Sequence, residues 1–240
     1  MNIGKEKYLK LALFGIVAAL ILSVPAQATI VAPSATVFPD LIATPVGTLL
    51  ASTSVPFVAS VGTYSGTLRA AVYLDATPLV GVCPAGGCLD FYYQVVNNPG
   101  SRDSISRESN INFGGFITSA SFRTDGGTFA SGSAGFTAGT VAPMTADRDG
   151  TGNVVGFNFN PPTTAEVLPG TTSRVLVIRT NATAFTSGFS STIDGSVTTV
   201  ATFQPTTTPG IPEPGSFLLF GSGLVALTFV SRRLTSRAKR

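Results

Sequence analysis

Two cysteines, two glutamates between residues 29 and 211, and one aspartate-rich turn are the side chains of this 240-residue chain best suited to chemistry, and there is no histidine to join them. Without histidine neither a Ser-His-Asp nor a Cys-His arrangement can be assembled, and a zinc site lacks its usual nitrogen ligands. Glycoside hydrolysis needs two facing carboxylates. Nothing in the spacing of Glu108 and Glu166 pairs them with each other or with an aspartate. No phosphate-cradling glycine loop opens a helix. The expectation is therefore a protein that is not an enzyme.

Cys83 and Cys88 are separated by Pro84-Ala85-Gly86-Gly87. That is too long for a Cys-x-x-Cys redox pair and suits a disulfide closing a tight loop in an oxidising compartment. Loop entropy assigns so short a ring about 2 kcal/mol. Asp147-Arg148-Asp149-Gly150-Thr151-Gly152-Asn153 carries oxygen side chains at Asp147, Asp149 and Thr151, followed by glycine. Alternate oxygens converging on one ion are how a calcium loop begins. Asn158, neutral and monodentate, stands where a glutamate would close the shell. The same residue types also make a polar β-turn between strands, and both readings remain open; no other cofactor is expected. Tyr64, Phe91, Tyr92, Tyr93, Phe113 and Phe116 fit either a sugar-stacking platform or a core, and the chain has no tryptophan to favour the former. Asn181-Ala182-Thr183 fits a glycosylation acceptor and reads as a strand end.

The elements that must position these residues are strands. Short β-branched and aromatic runs alternate with Gly, Pro, Asn and Asp. Residues 66–75 and 90–97 flank the cysteine loop and predict a hairpin clipped at its turn. Residues 105–113 and 116–123 predict two more strands around Gly114-Gly115, and 153–160, 174–180 and 195–203 complete the set. Val155, Phe157 and Phe159 share one face. In 174–180 both alternate sets are apolar or nearly so, as in a central strand. Residues 31–56 predict a proline-punctuated lead-in with one or two edge strands, and 126–139 a Gly/Ser-rich loop or weak edge strand. The fold class is all-β, a single antiparallel β-sandwich or jelly-roll-like domain over 29–205.

Both ends of the chain are of another kind. Residues 1–28 have the three parts of a secretory signal peptide: Lys5, Lys7 and Lys10, then an apolar stretch 11–24, then Ala26-Gln27-Ala28 with small residues where signal peptidase reads them. Cleavage after Ala28 is predicted, with delivery by the Sec machinery. At the other end, a linker 206–211 leads to Pro212-Glu213-Pro214, an uncharged apolar run 217–230, and the basic residues Arg232, Arg233, Arg237, Lys239 and Arg240. A transmembrane helix over 215–231 with a basic cytoplasmic tail 232–240 follows from the positive-inside rule. The uncharged run alone spans roughly 21 Å as a helix against a hydrocarbon core of about 30 Å, so local thinning and snorkelling arginines must make up the difference.

That ordered pattern, Pro-Glu-Pro followed by an apolar span and an arginine-rich end, resembles the PEP-CTERM sorting signal of exported Gram-negative bacterial proteins, over residues 212–240. The resemblance implies an exosortase as processing partner, cleavage near Pro212-Glu213-Pro214, and a setting of exopolysaccharide or biofilm. The expected path runs from an inner-membrane anchor with a periplasmic body to the cell surface or beyond.

The sequence pI near 9.1 belongs to the two ends. Between residues 29 and 211 there are seven arginines, no lysine and ten acids, a net charge of −3. Such a body has no electrostatic footprint for nucleic acid. The function expected is a non-catalytic envelope or extracellular-matrix protein, with exopolysaccharide as a possible partner. The alternative is a carbohydrate- or calcium-dependent adhesin module, or less readily a hydrolase.

Overall fold

A computed structural model of the chain describes residues 29–43, 46–75, 83, 87–126 and 135–207. The expected signal peptide with Ala26 and Ala28, and the C-terminal segment with Pro212, Glu213, Pro214, Arg232, Arg233, Arg237, Lys239 and Arg240, lie outside the described residues. Within them the chain is all-β, and the one helical element described is a 3-10 turn at Thr163–Ala165.

Thirteen strands are described: β1 Thr29–Ile30, β2 Thr36–Val37, β3 Asp40–Leu41, β4 Thr48–Val58, β5 Ser65–Leu74, β6 Leu89–Asn97, β7 Arg107–Asn110, β8 Thr118–Arg123, β9 Thr145–Arg148, β10 Val155–Asn158, β11 Val175–Thr180, β12 Ala184–Asp194 and β13 Ser196–Thr206. They form two sheets. The first runs β1-β8-β11-β6-β5-β4, with β3 also on β8; the second runs β13-β12-β7-β10-β9-β2. Every pairing is antiparallel except β3 with β8.

Side-chain alternation sets the layers. From the first sheet, Leu68, Ala70, Val72, Phe91, Tyr93, Val95, Leu176 and Ile178 point inward. They meet Ala146, Val155 and Phe157 of the second sheet, with Phe185, Val200 and Phe203 packed alongside. Each large apolar side chain so buried contributes about 1.5–3 kcal/mol by removing its surface from water. Two tyrosine hydroxyls cross the core to backbone of the second sheet. Tyr93 donates to the Phe203 carbonyl at 3.0 Å, and Tyr64 donates to those of Thr192 and Ser196 at 2.9 and 3.1 Å.

The opposite face of the first sheet is covered too. Ala71, Tyr73, Tyr92, Val175 and Val177 form a second apolar cluster with Ile42 and Phe136. Tyr92 stands edge-on to Tyr73, ring centroids 4.7 Å apart. The buried amide of Gln94 fastens the covering segment: Nε2 donates to the Thr137 and Ser173 carbonyls, and Oε1 accepts from the Thr137 amide. The described parts of 126–139 therefore form a capping loop rather than an edge strand.

Most expected strands occur where the pattern puts them. The hairpin of β5 and β6 pairs in register from Gly66↔Asn97 to Leu74↔Leu89, and the disulfide Cys83–Cys88 lies in its connection. The central strand expected at 174–180 is β11, flanked by β8 and β6 and buried along its whole length. Two readings change. The strands around Gly114-Gly115 belong to different sheets, because the chain passes from β7 to β8 through left-handed backbone at Asn112 (φ 68°) and Gly115 (φ 82°) and crosses the core edge. The long strand β12 has no counterpart in the sequence reading. Its inward positions are Gly188, Ser190 and Thr192 while Phe189 points out, the reverse of the expected alternation.

The tyrosine hydroxyl that ties the two sheets has a measurable value. Tyr93→Phe keeps the ring in the core and strands the Phe203 carbonyl, so unfolding free energy should fall by about 1–3 kcal/mol. Denaturant titration measures it, and an unchanged midpoint would show that the bond contributes nothing.

Candidate functional site

The aspartate-rich segment singled out by its spacing is the turn of the hairpin β9–β10. Val155 pairs with Arg148, and Gly156 with Asp147. Each polar residue in it is engaged differently.

Asp147 lies within β9 on the outer face of the second sheet, where Arg107 reaches it from β7 across the intervening strand. Arg107 forms a forked ion pair with Asp147, its Nη2 bonding Oδ1 at 2.7 Å. Asn158 completes the group, donating to Asp147 at 2.6 Å and accepting from Arg107 at 2.5 Å. The guanidinium passes directly over Gly156, where a Cβ would collide with it. Partial burial alone would raise the Asp147 carboxyl; the hydrogen bonds from Arg107 and Asn158 outweigh it and hold the group below its ordinary value.

Asp149 closes the turn. Its carboxylate accepts from the Thr151 hydroxyl at 2.5 Å and from the Val154 amide at 2.8 Å, and these bonds lower its pKa. The Asp149 amide donates to the Val154 carbonyl, and Gly152 takes the left-handed conformation (φ 72°) that the bend requires. Asp147, Asp149 and Thr151 thus hold protein partners, and Asn158 belongs to the Arg107 cluster. This is the arrangement of the polar turn. Among the described residues no group of three or more acidic or cysteine side chains is placed to hold a metal ion.

Arg148, between the two aspartates, turns inward and is 6% exposed. Its Nε donates to the Gly152 carbonyl at 2.8 Å, Nη1 to that of Val31 at 3.2 Å, and Nη2 to those of Phe113 and Phe116, both at 2.8 Å. One guanidinium thereby joins the start of the body, the β7–β8 connection and the hairpin turn. Burial lowers its pKa, and the nearby Asp149 charge opposes that shift. No sequence signal marks this role, since a four-carbonyl hub is assembled from residues far apart in the chain.

The remaining candidates separate. Glu108 is wholly buried on the inner face of β7. Glu166 follows the 3-10 turn, where the Ser104 hydroxyl and the Asn160 amide take its two oxygens. Beside Glu166 a cleft of about 330 Å³ opens between Val141, Met144, Ala165 and Leu168. Tyr64, Phe91, Tyr92, Tyr93 and Phe113 are buried, and Phe116 is half-buried. All of these except Phe116 belong to the two apolar layers. Asn181 follows β11 directly, and its side-chain oxygen accepts from the Ile117 amide at 2.9 Å.

Comparison with known proteins adds one region. The PEP-CTERM protein-sorting motif matches residues 210–233, at the C-terminus. No curated protein and no solved structure matches the chain.

Two outcomes test the turn. Arg148→Met leaves four carbonyls without their donor and should cost about 3–5 kcal/mol, as removal of a buried charged hydrogen-bonding group does. Arg148→Lys, lacking the planar fork, should recover little of it. Asp147 and Asp149 have lowered folded-state pKa values. Their stabilisation is present above the ordinary aspartate range and is lost as pH falls from there through their lowered folded-state values. In Asp149→Ala the acid-induced loss should shrink, whether calcium is added or not. Thermal melts across pH measure both effects.

Proposed function

We propose that this chain is an exported, non-catalytic cell-envelope or extracellular-matrix protein of a Gram-negative bacterium, associated with exopolysaccharide and sorted through its C-terminus. The observation that carries this reading is the PEP-CTERM motif at 210–233, separated by three residues from the last described strand, which ends at Thr206. That motif supports exosortase as the processing partner and a membrane-anchored form that is then exported to the surface.

On this reading each end acts by simple physics. Lys5, Lys7 and Lys10 hold the leading end in the cytoplasm while the apolar stretch enters the Sec channel, and Ala28 ends the signal. The run 217–230 halts transfer, and Arg232, Arg233, Arg237, Lys239 and Arg240 keep the trailing end inside. Pro212 and Pro214 oppose helix and keep the backbone around Glu213 extended, in a form a processing enzyme can grip.

For the body, support comes from how its polar groups are used. Arg107, Asp147 and Asn158 bind one another, Arg148 binds backbone, and Gln94 binds the capping segment. Side chains so committed serve architecture. The short β9–β10 turn, the clipped β5–β6 connection and the doubly covered first sheet suit a durable extracellular part.

The reading is tested in a host that makes both exosortase and exopolysaccharide. Intact-mass analysis of the released protein should show a start at Thr29 and an end near the Pro-Glu-Pro segment. Pro212→Ala with Pro214→Ala should leave the protein full-length at its C-terminus and membrane-retained. Release of the double variant at the normal rate would defeat the sorting claim, and failure of the released form to co-sediment with the polysaccharide would defeat the matrix claim.

A further inference from the structure

Glu108 faces the interior of the sandwich with none of its surface exposed. Asn110, two residues along β7, turns the same way, and Thr192 of β12 is the register partner of Glu108. The Asn110 amide donates to Glu108 Oε2 at 2.9 Å. Glu108 Oε1 has no hydrogen-bond partner, and neither has Thr192 Oγ1.

A carboxylate with a bare oxygen in an apolar interior is an uncompensated charge. A carboxylic acid is not. With Oε2 serving as the carbonyl acceptor for Asn110, the proton belongs on Oε1, and the register partner Thr192 carries a buried hydroxyl without a hydrogen-bond partner. The rest of the inner polar group is already paired: Ser190 donates to the side-chain oxygen of Asn110 and shares a hydrogen bond with Thr202.

Among the described residues no cation forms an ion pair with Glu108. Arg107, its neighbour on β7, is turned to the opposite face and engaged by Asp147. From β6 comes Tyr93, and from the loop before β5 comes Tyr64; both hydroxyls donate to backbone. Arg69 of β5 is tied to Gln94 on the far side of its sheet. Asp194 ends β12, and β10 and β13 carry no ionisable side chain. Burial is the dominant influence and pushes the Glu108 carboxyl up to about 8, against the smaller opposing effects of the Asn110 hydrogen bond and the Arg107 charge.

We propose that Glu108 is a neutral carboxylic acid in the folded body and acts as a pH latch, holding the C-terminal hairpin β12–β13 on β7 and releasing it when the proton leaves. β12 meets β7 over only four residue pairs, Ser190↔Asn110 to Ile193↔Arg107, whereas it meets β13 over eleven. Charge arising opposite Thr192 strikes this narrow seam; the Tyr64 and Tyr93 bonds to the hairpin backbone and the packing of Phe185, Val200 and Phe203 must be given up with it, so the hairpin departs as a unit. The sign follows from proton binding. An exposed Glu108 loses its proton near the ordinary glutamate value, and the folded one keeps it to about 8. Between those limits the closed state binds more protons, so each unit of rising pH favours opening by up to about tenfold.

Hydrogen exchange followed by mass spectrometry on the full chain in detergent, corrected for intrinsic rates, tests this. From about pH 6 to about pH 9, residues 184–206 should lose protection while 65–74 and 89–97 keep theirs. Glu108→Gln, which replaces the acid by a permanent donor, should keep the hairpin protected throughout. At neutral pH the infrared band of a protonated carboxyl should be present and should vanish in Glu108→Gln. Unchanged protection across the range, loss that persists in Glu108→Gln, or absence of that band would each overturn the latch.

Discussion

A sheet that is apolar on both faces must be covered twice, and this constraint governs the fold. All six residues of β11 are buried, and β6 beside it, like β5 beyond, sends side chains into two apolar layers. One layer is satisfied by the second sheet. The other is satisfied by non-strand chain carrying Phe136 and Ile42, pinned in part through Gln94. Antiparallel sheets commonly leave one face to water; here neither face of the central strands is left open, which is why the connections are called on to pack as well as to connect.

Arg179 pairs with Asp75 and Asp90, while several of the buried polar groups find their partners in the backbone. Arg148 is the extreme case, a charged side chain whose four bonds all end on carbonyls. A guanidinium donates in a plane and several directions at once, so it can satisfy loops that no ladder reaches. The tyrosine hydroxyls do the same between sheets. These bonds give position to a core whose apolar contacts alone have no direction.

Legibility from sequence followed the physics of each part. β5, β6 and β11 were readable because their alternation and their flanking turns agree. The sorting segment was readable because its pattern is linear and needs no fold to be recognised. β12 was hidden because Ser190 and Thr192 face inward there and Phe189 outward. β9 was hidden inside a motif whose acids suggested an ion, although Asp147 is a strand residue bound to Arg107. Nothing local announces that Arg107 must pass over a glycine two residues before Asn158, or that the strands on either side of Gly114-Gly115 part to opposite sheets. Those facts are made by long-range register.

The eleven-pair ladder between β12 and β13 has a mechanical meaning. Tension applied at Thr207 along the axis of the final strand would load its rungs in parallel, so that rupture requires many to fail together rather than one after another. A peeling pull would instead break them singly. The orientation in which the last strand meets its tether thus decides whether the body yields like a zipper or resists like a lap joint.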